Sequence, residues 1–484
     1  MLNAMNFSAI SVEIAIAVLM AVVLVLDLVL KKDAPRCLVV WLTAAGLLGV
    51  LALAVGMYPP DGGATAFYAG LYIVDGYSVF FKILFIIGIL STVIFAADYV
   101  EHTLRHKGEF YLLLLSALLG MCVLASANDL MTAFVGLELM TISFYALVAL
   151  RTDAPLSAEA GIKYLVFGSG STAVLLYGMS LVYGMTGTMV FQNIAQGLGL
   201  VFSLGLIGVV FILAGFFFKL SIIPFHLWAP DVYEGAPAPV TALLAMCSKA
   251  AGIAILLRVL FVAFPFLAAY WAHLLAVLAG ISMVGGNLMA FRQTNIKRML
   301  AYSSIAQAGY MMTAMVATNA AGIKAVLFYA MVYVFANVGA FVTVSYLEMK
   351  RGGADFESVR GLAKDSLLPA GILMVALLTM AGIPPTAGFV GKIYIFSAAI
   401  DAGYLWLAGV GFVMSMMSVY YYLLVIKEMF RDVEEGEKWT EEHLHLPLPA
   451  SAMGVIAVAF TLIIGVWAEP LSIFTNIAVY TFMR

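Results

Sequence analysis

A chain of 484 residues, 64% of them hydrophobic and 11% charged, is far from the roughly 45–50% apolar and 25% charged composition of a soluble domain and cannot hide its apolar surface in water. The net charge of −3, with no basic stripe, speaks against a nucleic-acid partner. The three cysteines, Cys37, Cys122 and Cys247, form no CxxC pair and predict neither a disulfide framework nor a cluster motif.

Apolar runs of about 20 residues, the length that crosses a hydrocarbon core of roughly 30 Å, recur from end to end. A lone lipid-exposed strand would leave its backbone unpaired, so the expected fold is an all-α polytopic membrane protein embedded in the lipid bilayer. In chain order the runs predict fourteen transmembrane helices, at 12–30, 37–57, 77–97, 110–126, 130–150, 161–186, 201–230, 238–262, 267–290, 299–317, 321–348, 368–398, 403–426 and 449–468. The first follows an uncharged start and precedes Lys31, Lys32 and Arg36, which predicts a retained helix rather than a cleaved signal peptide.

Loops rich in Lys and Arg mark the cytoplasmic side. Of the 24 such residues, 16 lie in loops after odd-numbered spans, among them Arg292, Lys297, Arg298, Lys350, Arg351, Arg360 and Lys364, whereas Arg258 and Arg484 lie on the other side. Both termini are therefore expected on the non-cytoplasmic side. The other six, Lys82, Lys163, Lys219, Lys249, Lys324 and Lys392, fall within or at the edge of spans.

A lysine at the centre of a membrane helix costs on the order of 3 kcal/mol, and such residues usually mark an ion or proton path. Glu138 is the only carboxylate of the fifth span, and Lys219 lies in the seventh; opposite charges at similar depth can neutralise one another. Lys249 and Lys392 are equally embedded with no carboxylate nearby in sequence. The alternative is that lysines snorkel to an interface, which suits Lys82, Lys163 and Lys324 near span ends better than the other three.

Pro224 interrupts the seventh span, and Pro384 and Pro385, flanked by Gly382 and Gly388, interrupt the twelfth. A proline inside a helix removes a backbone hydrogen bond and kinks or unwinds it, and discontinuous helices recur at transporter binding sites. Residues 160–167 read AGIKYLVF and residues 321–328 read AGIKAVLF, an offset of 161 that also carries Pro224 onto Pro385. Spans four to eight then repeat as spans nine to thirteen. Because each unit holds five spans, the second copy must be inverted in the membrane, which places Lys163 and Lys324 near opposite faces. The expected divisions are an N-terminal three-helix segment (1–109), two inverted five-helix repeats (110–264 and 265–430) with broken helices seven and twelve, and a loop with the last span (431–484).

The run KLSIIPFHLWAPDVYEGAPAPVTALLAMCSK at 219–249, with GLEL around Glu138 and GIPPTAGFVGKIYIFSAA around Lys392, resembles the antiporter-like subunits of respiratory complex I over essentially the whole chain. The resemblance implies the same fourteen-helix inverted-repeat fold. It also implies a proton relay through Glu138 on the fifth helix and Lys163, Lys219, Lys249 and Lys392 on helices six, seven, eight and twelve. Lysine on helix twelve favours the N or L branch of the family over M, where glutamate is expected, and the absence of a long lateral helix after the fourteenth span leaves N. Lys324 enters on the repeat alone. His226, just after Pro224, is a candidate for the relay or for hydrogen bonding to freed carbonyls, while Asp231 and Glu234 are expected to cap or to face water.

No intraspan histidine pair suits haem and no cysteine set suits an iron–sulfur cluster, so no cofactor is expected in this chain. The resemblance assigns NADH, FMN, iron–sulfur clusters and quinone to partner subunits of a proton-translocating NADH:quinone oxidoreductase in a bacterial inner membrane, with other complex I membrane subunits, antiporter-like chains among them, as neighbours. Two other functions stay open: a subunit of a multi-subunit cation/proton antiporter, and a passive membrane scaffold for an oxidoreductase.

Overall fold

A computed structural model describes residues 6–30, 35–59, 63–198, 202–433 and 445–483; Lys31, Lys32 and Arg484, used above, lie outside the described residues. Among the described residues eleven helices are long and apolar enough to cross a membrane: Ser11–Val29, Cys37–Gly56, Gly76–Phe95, Lys107–Ser126, Leu130–Val148, Pro155–Thr186, Ala238–Ala263, Pro265–Ala290, Ala320–Arg351, Leu405–Phe430 and Leu448–Val466. The shorter apolar helices Gly205–Leu220 and Leu367–Ala381 open the broken seventh and twelfth spans, which resume at Trp228–Gly235 and Ala387–Asp401. Ile296–Met315 completes the fourteen. Its polar residues, among them Ser303, Ser304 and Gln307, keep it from reading as a lipid-facing span, and almost the whole helix is buried.

Polar side chains start several spans. Asp75 and Ser78 form a capping box at the third, Asp129 accepts from the amides of Met131 and Thr132 at the fifth, and Asn319 accepts from Gly322 at the eleventh; each side chain satisfies donors that the first turn leaves orphaned. The sixth and eleventh spans are both 32 residues long and both end on a glycine in the left-handed region, Gly187 and Gly352, the usual helix stop. Within each repeat the first two helices pack through glycines. A Cβ on Gly120 would lie 2.5 Å from the Met140 amide nitrogen, and one on Gly286 would lie 2.8 Å from that of Ala306. Small residues allow such backbone approach where helices associate in a membrane.

The third, eighth and eleventh spans are enclosed almost entirely by the others, and the first, sixth and thirteenth expose most of their surface. Shorter elements accompany the fourteen spans. Thr65–Phe67 pairs antiparallel with Tyr72–Val74 in the loop before the third span. A further helix, Glu469–Met483, follows the fourteenth span. At 15 residues interrupted by Ser472, Thr475 and Asn476, it is too short and too polar to register as a crossing, and it is held by aromatic contacts. Phe474 lies 5.2 Å from both Tyr58 and Phe80, and Phe482 lies 4.4 Å from Tyr77.

Candidate functional site

The seventh and twelfth spans break in the same way. Ser221 and Gly382, 161 positions apart, take φ of 57° and 81°. The amide of Ile222 bonds the Phe217 carbonyl at 3.0 Å, and that of Ile383 bonds Leu378 at 3.1 Å. These six-to-one bonds, with Ser221 to Phe218 and Gly382 to Thr379, are Schellman stops. They leave the last carbonyls of each half-helix in need of donors at depth.

At the twelfth-span break the donor is Lys392. Its buried ammonium reaches the Met380 carbonyl at 3.0 Å, the Ala381 carbonyl at 2.8 Å and Ser415 Oγ at 2.8 Å, above the Tyr310 ring. A cation here also answers the negative end of the half-helix. At the seventh-span break the Phe218 carbonyl receives the Trp228 indole N–H at 3.0 Å. Lys219 instead turns to Thr141 Oγ1 at 2.9 Å and the Tyr164 hydroxyl at 3.1 Å. His226 is buried just after this break.

The direct pairing expected of Glu138 and Lys219 is not formed. Glu138 Oε1 accepts from Thr172 at 2.8 Å, and the two charged groups line one cavity of about 20 Å³ with Thr141, Ser171 and Thr172 as well as Leu137, Leu175 and Phe218, room for about one water molecule. Glu138 and Thr141 share a face because they are three residues apart on one helix.

Lys249 follows a π-helical turn, Leu244–Ser248, a feature common at functional sites. Its Nζ lies 2.8 Å from the Ser304 carbonyl on the tenth span. Three residues further along that helix, Gln307 bonds the Met380 carbonyl at 3.0 Å, which Lys392 also uses. The tenth span thus touches the surroundings of both lysines, and Ser303 and Tyr422 share a 2.5 Å hydroxyl contact beside it.

Lys163 stands apart from this file. It is partly exposed and paired with Glu159 and Asp231, both at 2.7 Å, and Arg298 bridges Asp231 at 2.8 Å and Glu234 at 2.7 Å. Asp231 and Glu234 are ion-pair partners, each partly exposed, rather than caps. Lys324 lies over the Tyr394 ring at 5.6 Å.

Lys82 does not snorkel. It is fully buried and pairs with Glu13 at 2.8 Å while donating to the Tyr72 hydroxyl at 2.7 Å. Arg258 meets Asp75 with two hydrogen bonds of 3.0 and 3.1 Å, and Lys297 meets Glu348 at 2.9 Å. Buried cations thus fall into two classes. Lys82, Arg258 and Lys297 have carboxylate partners; Lys219, Lys249 and Lys392 are held by hydroxyls and carbonyls, with no carboxylate within ion-pair distance among the described residues. The neutral partners stand in no sequence motif. The signal that could have found them is the helical spacing of Ser303, Ser304 and Gln307 in a buried span. Among the described residues no three His, Cys, Asp or Glu side chains are grouped as a metal site would need.

Residues 127–418 match the family model described as NADH:quinone oxidoreductase/Mrp antiporter, transmembrane. The chain is 46% identical over 479 residues to NADH-quinone oxidoreductase subunit N of Heliobacterium modesticaldum, covering 98% of this chain and 99% of that one. A chain of respiratory complex I from Thermus thermophilus with bound aureothin is 35% identical and superposes with a TM-score of 0.80 over 95% of this chain and 98% of its own. A chain of the Mrp complex from Dietzia sp. has a TM-score of 0.88 over 99% of this chain and 98% of its own at 21% identity, a likeness of fold alone.

Proposed function

Because this chain belongs to the NADH-quinone oxidoreductase subunit N family, we propose that it moves protons across a bacterial inner membrane through Glu138, Lys219, Lys249 and Lys392, driven by electron transfer from NADH to quinone in partner subunits. The observation that carries this reading is the division of the buried cations. A lysine paired with a buried carboxylate cannot lose its proton without leaving that carboxylate uncompensated, which costs several kcal/mol. Lysines held by hydroxyls and carbonyls face no such penalty, so Lys219, Lys249 and Lys392 can hand a proton on and become neutral.

Lys163, among Glu159, Asp231, Glu234 and Arg298 around a cavity of about 230 Å³, collects protons at the cytoplasmic end. Lys324 serves the opposite end, and His226 joins the relay at the seventh-span break. Both termini face away from the cytoplasm. The N-terminal segment (1–109) and the last span flank the two working repeats. FMN and iron–sulfur clusters reside in partner subunits, beside other antiporter-like chains of the membrane arm, and this chain acts as a non-redox subunit of the translocase.

Glu138→Gln keeps the shape and the acceptor for Thr172 but removes the charge beside Lys219. In the assembled complex, reconstituted in vesicles with a pH-sensitive dye, it is expected to lower protons moved per electron pair. Undiminished pumping by an assembled Glu138→Gln complex would remove Glu138 from the relay, and sodium uptake replacing proton uptake would move the chain to the cation antiporters.

A further inference from the structure

Gln307 is buried on the tenth span, and its amide orientation follows from its partners. A carbonyl oxygen can only accept, so the Nε2 that lies 3.0 Å from the Met380 carbonyl is the donor. Oε1 then accepts from the Tyr329 hydroxyl at 2.5 Å. The Met380 carbonyl, released by the Schellman stop at Gly382, has two lone pairs; Gln307 takes one and the Lys392 ammonium the other, each at 3.0 Å. Three residues before Gln307 on the same helix, the Ser304 carbonyl holds Lys249.

We propose that Gln307 is a positioning residue of the proton path: by pinning the Met380 carbonyl it sets where the Lys392 ammonium sits relative to the tenth span and Lys249. The amide is not a carrier, since it neither gains nor loses a proton at working pH. Tyr329 holds Gln307 from the eleventh span, so helices ten, eleven and twelve meet at this one side chain. Without it the Met380 carbonyl is held by Lys392 alone, one of the three acceptors of that ammonium is no longer fixed, and transfer between groups out of place slows steeply. The inference rests on Lys392 being a proton carrier.

The test compares Gln307→Leu, Gln307→Glu and Lys392→Met in the whole oxidoreductase, each checked for assembly by co-purification of the partner subunits and reconstituted in vesicles. Gln307→Leu is expected to reduce protons moved per electron pair toward the yield of Lys392→Met. Gln307→Glu supplies a second signature. When protonated, its carboxyl donates to Met380 and accepts from Tyr329 as the amide does; when ionised, it cannot donate and gives Lys392 a counter-ion. Its yield relative to the native complex should therefore be low at alkaline pH and recover on acidification, whereas a purely structural role would leave that ratio independent of pH. Should Gln307→Leu fail to assemble, the pH profile of Gln307→Glu decides. Full yield in assembled Gln307→Leu, or a flat ratio in Gln307→Glu, overturns the proposal. If Lys392→Met itself pumps fully, the carrier reading falls instead.

Discussion

Ser221 and Gly382 occupy the same left-handed turn in two copies of one helix break, with φ of 57° and 81°, although only one of them is the residue that this conformation favours. For a residue with a Cβ the left-handed turn costs roughly 1–2 kcal/mol.

Ser221→Gly should consequently be tolerated, and Ser221→Val, whose branched Cβ suits positive φ worse than serine does, should lower stability, read from thermal unfolding of the purified complex. Gly382→Ala is the harsher change. Its Cβ would lie 2.8 Å from Lys392 Cδ, so it strains the turn and displaces the ammonium from Met380 and Ala381, and pumping should fall with it. Equal tolerance of Ser221→Val and Ser221→Gly would show that the turn does not hold this helix end.

Lys392→Arg separates charge from proton exchange. The guanidinium keeps the positive charge but does not readily release a proton, so a carrier fails with Arg as it does with Met. A purely electrostatic role, capping the carbonyls of Met380 and Ala381, would tolerate Arg better than Met. Proton uptake is recorded beside electron transfer in vesicles, and full pumping by an assembled Lys392→Arg complex refutes the carrier role.

Lys82 and Glu13 should behave as structure. Removing one partner strands the other, so Lys82→Met is expected to cost about 3–5 kcal/mol of stability, and Glu13→Gln with Lys82→Met should recover most of it. Protons moved per electron pair should stay at the native value in the double variant. A loss of pumping there would bring Lys82 into the path.

Cys37 is exposed at the start of the second span, while Cys122 and Cys247 are buried. The distribution of Lys and Arg predicts Cys37 on the cytoplasmic side, so a membrane-impermeant maleimide should label it in inside-out vesicles and spare it in right-side-out ones. The reverse pattern would invert the whole topology.

Much of the fold was legible in the sequence because a membrane imposes one period and one length: apolar runs of about 20 residues, Lys and Arg in alternate loops, proline at the breaks. The offset of 161 that links AGIKYLVF to AGIKAVLF and Pro224 to Pro385 extends to the φ of Ser221 and Gly382, since backbone geometry follows local turn residues. The chemistry does not obey the same offset. Lys219 has Met380 as its counterpart, and Lys392 has Asp231, so the repeat in the sequence predicts where helices break but not which side chains answer the break. Lys82, expected to snorkel from a span end, and Lys219, expected to be embedded, are both buried. Their difference, Glu13 on a distant helix for one and Thr141 with Tyr164 for the other, depends on which spans come to lie side by side. Helix adjacency is set by packing at residues such as Gly120 and Gly286, and only the tertiary structure decides it, because the energy of a buried charge depends on partners that are close in space and far apart in the chain.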